Sequence, residues 1–346
     1  MFIADEKYYY KIILSSKKED VENIIKKENK EECYIEYEIP KKNGMRTINA
    51  IDRKSGLYRL QRNLQSNFLC KIPLPMSVKG FVKGEGYNSY LSNHVNKKYY
   101  LRIDISSFFD SITIEQLDKG LKEFVSIKEV RDNIITVCTL NERIPQGGVT
   151  SPTLSNIIFR FVDQRIIKYC RCYDVYYTRY ADDMLFTSDN VNFTEKKFFF
   201  NKINKILNEN GFNCNKSKTI ISNNNISLSG YVIDEDIHLS RKKLYNINKL
   251  IYYFRKNKDF IDEKYKVDKS IIKDPKFLEK INMLNITTRN GAVKKFDNID
   301  QLLDFLSGYR SFIISVLTSN KENTKFTKQM NNKIKHIELI IDNLVN

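Results

Sequence analysis

The sequence predicts an α+β fold in which strand–turn–strand units and helices alternate up to about residue 235, with a largely helical segment beyond. Three observations carry this. Residues 34–51 and 174–188 each read as strand, tight turn and strand. Between them, apolar residues recur at helical spacing, as in LYRLQRNLQSNFLC over 57–70. From Ser240 onward the chain becomes Lys-rich and helical (RKKLYNINKLIYYFRKNK), which places a boundary near 235.

Taken in order, residues 1–30 read as helical with a charged, solvated face. YIEYEIP and MRTINAI flank KKNG, so 34–51 form a hairpin with Asn43-Gly44 at its tip. A Pro- and Gly-rich loop runs from Pro73 to Gly86, followed by a short helix over 87–96. KYYLRIDI (98–105) is a buried strand ending on an acid. Thr113 caps a helix running to about 125. IPQGGVTS (144–151) is a loop, and Pro152 suits the first turn of a helix to about 169. A further helix spans 194–210 and stops at Gly211, and short strands fit 218–222 and 226–233.

With 346 residues and 41% hydrophobic content, the chain can bury a sizeable core. Lys plus Arg is 58 against 42 for Asp plus Glu, a net charge of +16 that favours a polyanionic partner. A membrane surface is the weaker choice, because no basic helix carries a clean apolar face. No run approaches the ~18 apolar residues of a membrane span. The acidic, Tyr-rich start MFIADEKYYYKIIL is unlike a signal peptide. Cys33, Cys70, Cys138, Cys170, Cys172 and Cys214 lack zinc-site spacing and read as free thiols of a cytoplasmic protein.

The sharpest chemistry is acidic. Asp104 ends a strand in RIDISSFFD, and Asp182 and Asp183 occupy the turn of YTRYADDMLF. Asp is also an ordinary turn residue. Here, however, the flanks YYT and MLFT read as buried strands, so the turn is held against a sheet that Asp104 can reach. Three carboxylates at one point are tolerable when they bind divalent cations, and hard oxygen ligands suit Mg²⁺. Two such ions, about 4 Å apart, serve phosphoryl transfer.

These residues resemble the reverse transcriptases. YADD (180–183) before an apolar strand looks like their catalytic motif. KKNGMRTI (41–48) resembles the fingers hairpin, RIDISSFFDSI (102–112) the first palm motif and IPQGGVTSPTLSNIIF (144–159) the PQG-x-x-SP-x-LSN motif. GFNCNKSKT (211–219) resembles the palm motif with a lysine, and LSGYVI (228–233) the primer grip. The segment GFVKGEGYNSYLSNHVNKKYYLRIDISSFF and LDFLSGYRSFI (303–313) are most similar to bacterial retron enzymes. Asn88-Ser89 with His94 is two residues longer than the retron N-A-x-x-H, and Leu228-Ser229-Gly230 stands where retrons favour V-T-G.

The resemblance implies a right-hand polymerase: fingers and palm (antiparallel sheet with helices) over 1–235 and a helical thumb over 236–346. It implies RNA-templated DNA synthesis from dNTPs with two Mg²⁺ ions, or Mn²⁺ in their place. Asp104, Asp182, Asp183 and the Ile105 carbonyl would be metal ligands, and Lys218 would protonate the departing pyrophosphate. Phe109 would lie under the sugar and select dNTPs, or else pack in the core beside Phe108. Lys42 or Lys41, with Arg46, would clamp the triphosphate, and Gln146 and Gly147 would contact the nucleotide. His94, Gly230, Arg241 and Lys242 would meet nucleic acid, although His94 reads equally well as structural and Gly230 as a turn glycine. Implied partners are a structured noncoding RNA template, its RNA–DNA product and an effector protein of a phage-defence system, with no membrane. The rival readings are a defence-associated or other bacterial reverse transcriptase outside retrons, with protein priming or untemplated synthesis; a non-catalytic RNA-binding scaffold, which predicts a damaged acidic triad; and an RNA-dependent RNA polymerase, which normally needs a small or polar residue at Phe109.

Overall fold

The computed structural model describes residues 2–40, 44–256, 276–287, 292–318 and 325–345. The chain divides into two compact units, Met1–Tyr90 with Lys98–Asn223, and Leu91–Lys97 with Asn224–Asn346.

The first unit begins with short helical turns at Glu6–Tyr8, Lys18–Ile24 and Lys27–Glu31. Strands β1 (Tyr34–Pro40) and β2 (Met45–Ile51) form the antiparallel hairpin that the alternation predicts. Helix α1 (Gly56–Asn67) follows, its first turn capped by the Ser55 hydroxyl, which accepts from Tyr58 N.

Strand β3 (Tyr99–Ser106) is the centre of the main sheet. Along one side lies β5 (Asp183–Ser188), itself paired with β4 (Tyr176–Tyr180). The other side is shared by β6 (Asn213–Cys214) and β7 (Ile220–Asn223). Every pairing is antiparallel.

The period of two sorts the side chains. Leu101, Ile103 and Ile105 of β3, with Met184 and Phe186 of β5, enter the hydrophobic core. Tyr100, Arg102 and Asp104 therefore share the opposite face, opposite Thr187, Leu185 and Asp183. The core face is covered by α2 (Ile114–Leu121), α3 (Lys128–Cys138), α4 (Ser151–Arg171) and α5 (Lys197–Asn208), whose buried residues include Leu117, Ile134, Ile158 and Phe199. Helix α2 opens with a full capping box, Thr113 and Gln116 bonding each other's backbone N–H.

In the second unit, β8 (Ile226–Leu228), β9 (Tyr231–Ile233) and β10 (Ile237–Leu239) form a three-stranded antiparallel sheet. Helices α6 (Arg241–Lys256), α7 (Phe277–Asn282), α8 (Ile299–Leu317) and α9 (Lys325–Val345) complete it. Ile247, Leu250, Phe254, Leu306 and Ile313 are among its buried residues. The expected helix over 87–96 is shorter, Tyr87–Leu91, continued by a 3₁₀ turn at Ser92–His94. The fold is α+β with an antiparallel sheet, as the sequence predicts. No helix of the described residues is long and apolar enough to cross a membrane.

Candidate active site

The sheet register brings the acids together. Asp104 and Asp183 are direct partners across β3 and β5, which sets their Cα atoms about 4.5–5.5 Å apart. Asp182 lies in the two-residue loop between Tyr180 and Asp183, which face each other in register. Its carbonyl accepts from Ile105 N at 3.0 Å, locking the loop to the end of β3. Ala181, first in that loop, has φ +56°. Two-residue hairpins require positive φ there, at a cost of about 1–2 kcal/mol for a residue with a Cβ.

That strained turn is held from below. Gly80 lies so close that a Cβ there would stand 2.5 Å from Ala181 N. Arg179, on the core face of β4, is fully buried. It donates to both oxygens of buried Asp163 at 3.0 and 2.8 Å, and to Asn156 Oδ1 and the Ala181 carbonyl at 3.0 Å each. Asn156 in turn donates to the Gly80 carbonyl at 2.8 Å, and the Tyr177 hydroxyl donates to Asp163 at 2.7 Å. Every member of this network is satisfied by another, which is the condition for a buried ion pair to rigidify its surroundings.

On the face of the sheet opposite the core the carboxylates meet two cations. Lys218 Nζ lies 3.0 and 3.2 Å from the two oxygens of Asp104. Arg102 grips Asp183 through Nε (2.9 Å) and a terminal nitrogen, the latter 3.7 Å from Asp104 Oδ2. Burial opposes the Arg102 charge, but Asp183 more than offsets this and holds its pKa above the ordinary value. Burial, then Asp183, and less strongly Asp104, raise the Asp182 carboxyl above the usual carboxylate range, while its backbone hydrogen bond and Lys218 oppose the rise. The Tyr90 hydroxyl is buried with no hydrogen-bond partner among the described residues. Burial, then the Asp183 charge, push its pKa well up, and Asp182 contributes.

Three carboxylates and a backbone carbonyl are the hard oxygen donors that suit Mg²⁺. As the side chains stand, Asp104 and Asp183 are turned to Lys218 and Arg102. Among the described residues no three acidic, Cys or His groups are gathered closely enough to hold an ion. The donor chemistry fits a divalent cation, and the two basic residues lie within ion-pair distance of Asp104 and Asp183.

Around this centre, Phe108 is buried in the core while Phe109 is half-buried. Gln146 is half-buried in the loop before α4, whose Val149 N–H donates to buried Gln61 Oε1 at 3.0 Å. Gly147 has φ +121°, and a Cβ there would stand 2.6 Å from the Asn49 carbonyl, so the close approach it permits is to β2. Arg46 is exposed on β2. Lys41 and Lys42 lie outside the described residues.

The second unit holds the remaining candidates. His94 is fully buried, and burial, aided by Lys97, pushes its pKa down to about 3. Gly230 (φ +94°) follows Ser229 (φ +53°) in the tight turn between β8 and β9, and the Lys243 side chain covers it. Two consecutive positive φ angles make it a turn glycine. Arg241 and Lys242 are exposed at the start of α6.

Residues 39–233, more than half of the chain, match the family model described as Reverse transcriptase (RNA-dependent DNA polymerase). The chain belongs to the reverse transcriptase family.

Curated relatives of this reverse transcriptase chain include the Retron Mx65 reverse transcriptase of Myxococcus xanthus, 26% identical over 65% of this chain and 57% of that protein. The Retron Ec86 reverse transcriptase of Escherichia coli is 29% identical over 60% and 65%, and the Retron Ec73 reverse transcriptase of the same species 31% identical over 43% and 51%. The chain thus spans less than two thirds of the length of these relatives. Among solved structures, Candida albicans telomerase in complex with a TWJ fragment of telomeric RNA aligns at TM-score 0.45 and 14% identity, over 88% of this chain and 63% of that one. A foamy viral protease–reverse transcriptase in complex with double-stranded DNA aligns at TM-score 0.39 and 18% identity, over 94% and 48%. Members of the family generally use divalent metal ions such as Mg²⁺.

Sequence reasoning missed Arg102 and Arg179. The signal for Arg102 was parity, since it stands two residues before Asp104 and shares its face. For Arg179 it was a charge in the middle of a buried strand, which demands a buried partner.

Proposed function

We propose that this reverse transcriptase chain adds dNMPs to a DNA strand on an RNA template by two-metal phosphoryl transfer, and that it is a retron enzyme. The register pairing of Asp104 with Asp183, with Asp182 on the adjoining turn, carries the first reading. Similarity to several retron reverse transcriptases carries the second.

In this reading Asp104, Asp182, Asp183 and the Ile105 carbonyl hold two Mg²⁺ ions. When bound, these ions lower the pKa of the primer hydroxyl and neutralise charge on the phosphates. Lys218, exposed beside Asp104, donates a proton to the departing pyrophosphate. Phe109 lies under the sugar and excludes a 2′-hydroxyl. Arg46 and Lys42 hold the triphosphate, and Gln146 and Gly147 border the nucleotide. Arg241 and Lys242 track phosphates of the duplex, which an A-form hybrid presents independently of sequence. The template is a structured noncoding RNA, the product is RNA-linked single-stranded DNA, and an effector protein completes a cytoplasmic phage-defence system. The scaffold alternative predicts a damaged triad, whereas all three acids are present.

The test is nucleic acid co-purified from cells expressing wild type or Asp182→Ala with Asp183→Ala, treated with RNase and DNase and sequenced. Discrete DNA joined to RNA in the wild type alone is the expected result. RNA without DNA in both strains would favour the scaffold, and DNA joined to protein would replace the retron reading with protein priming.

A further inference from the structure

Phe81 combines two features that are each unfavourable by themselves. It is a large hydrophobic side chain left 44% exposed, and its backbone is left-handed at φ +62°. A bulky residue in that region persists only where its surroundings over-determine it, and such outliers concentrate at functional sites.

The surroundings here are those of the catalytic turn. Val78 bridges to Arg179 in parallel fashion. Lys79 N donates to the Arg179 carbonyl at 2.8 Å, and Arg179 N donates to the Ser77 carbonyl at 2.7 Å. Asn156 holds the Gly80 carbonyl at 2.8 Å, and Gly80 packs on the backbone of Tyr180 and Ala181. An ion pair between Lys79 and Glu85 at 2.7 Å closes the loop on its far side. Phe81 thus has little freedom to relax.

Held this way, its ring lies 6.3 Å from Phe109, tilted by 51°, and 6.4 Å from Tyr180, tilted by 42°. Both separations are within the range of aromatic pairing. Phe109 is otherwise supported by Phe108, edge-on at 5.5 Å. Tyr180 is the register partner of Asp183. Phe81 therefore joins the proposed sugar-contacting ring to β4, the strand whose last residue pairs with Asp183.

We propose that Phe81 is a positioning residue for sugar discrimination: it fixes the Phe109 ring against rotation, so that Phe109 keeps closed the space a ribose 2′-hydroxyl would need. This rests on the reading of Phe109 given above. Without the Phe81 ring, Phe109 has one less neighbour and turns aside, and ribonucleotides gain access while deoxynucleotides are little affected.

The experiment is single-turnover extension of a DNA primer on an RNA template by the full chain, with a dNTP or its matching rNTP. It compares wild type, Phe81→Gly, Phe81→Leu, Phe81→Tyr and Phe109→Ala. Glycine accepts the positive φ without strain, so Phe81→Gly removes the ring and keeps the turn, and Phe81→Leu serves if the glycine variant fails to fold. The dNTP/rNTP ratio of kcat/KM is expected to fall about 3- to 10-fold in Phe81→Gly and Phe81→Leu, the size of one aromatic contact. The change should sit mainly in the rNTP KM, and Phe81→Tyr should retain the wild-type ratio. An unchanged ratio in Phe81→Gly and Phe81→Leu with a collapsed ratio in Phe109→Ala would overturn the role of Phe81 and leave that of Phe109 standing. Equal loss for both nucleotides would also overturn it, as mere packing. An unchanged ratio in Phe109→Ala would remove the sugar-contact reading itself, and this inference with it.

Discussion

Asp104 and Asp183 face each other across β3 and β5, and the guanidinium of Arg102 reaches both carboxylates. One arginine on the same sheet face thus offsets a like-charge pair that the strand register makes unavoidable. That charge balance is the starting point for most of what can be tested.

Arg102→Ala removes the shared cation and leaves the two acids in a largely buried site. In EDTA the variant is expected to lose about 3 kcal/mol of stability, as when one partner of a largely buried pair is deleted. Added Mg²⁺ should recover more stability in the variant than in wild type, since binding to the folded state alone stabilises by mass action. Urea denaturation with EDTA and with Mg²⁺ measures both, and equal Mg²⁺ effects in the two proteins would contradict the arrangement.

The Asp182 carboxyl, raised by burial and then by Asp183 with help from Asp104, gives a pH signature in metal-free protein. A carboxyl whose folded pKa exceeds its unfolded value of about 3.9 binds protons more tightly when folded. Its contribution to stability therefore declines as pH rises from the unfolded value through the folded one, and the penalty is complete above that window. Asp182→Asn carries no such penalty. It should match wild type near pH 4 and be more stable at pH 7 in EDTA, and saturating Mg²⁺ should reverse that order. Thermal melts across pH 4–8 decide it.

Gly80→Ala places a methyl group 2.5 Å from Ala181 N. The turn must move, at a cost of about 1–3 kcal/mol from overpacking. Because the turn carries Asp182, kcat should fall on the order of 100-fold, the effect of displacing a reacting group by about an ångström. Denaturation and primer extension together test this, and a stable, fully active Gly80→Ala would show that the turn is not position-critical.

Lys218→Ala separates stability from chemistry. The side chain is 55% exposed, so its loss should alter stability by less than about 1 kcal/mol. If Lys218 supplies the proton for pyrophosphate, kcat should drop roughly 100-fold, with KM for dNTP little changed. A variant with wild-type turnover would leave Lys218 as a counter-ion for Asp104 only.

Much of this was legible because the sheet obeys a simple parity. The alternation in YYLRIDIS and the turn between two buried strands were enough to bring Asp104, Asp182 and Asp183 together. The Thr113 capping box and the pairing of MRTINAI with YIEYEIP were also plain. Other elements carried weaker signals. Helix α3 starts at Lys128, and Ile127 before it supplies no side-chain cap, so its boundary has no local mark. Strand β10 is three residues long, too short for a period to show. Gly80 and Phe81 matter through contacts with residues about a hundred positions away, and Asp163 reads as an ordinary helix acid until its buried arginine is seen.

The central place of β3 has an implication for how this chain can change. The strand pairs with β5, β6 and β7 at once, so a single residue inserted or deleted within 99–104 cannot be absorbed at a free edge. Such a slip would turn Leu101 and Ile103 outward and Asp104 into the hydrophobic interior. Folding and metal chemistry would fail together. Length variation is therefore barred from this strand and confined to the connecting loops, and any protein engineered from this one must keep the strand's residue count even where it alters every other feature.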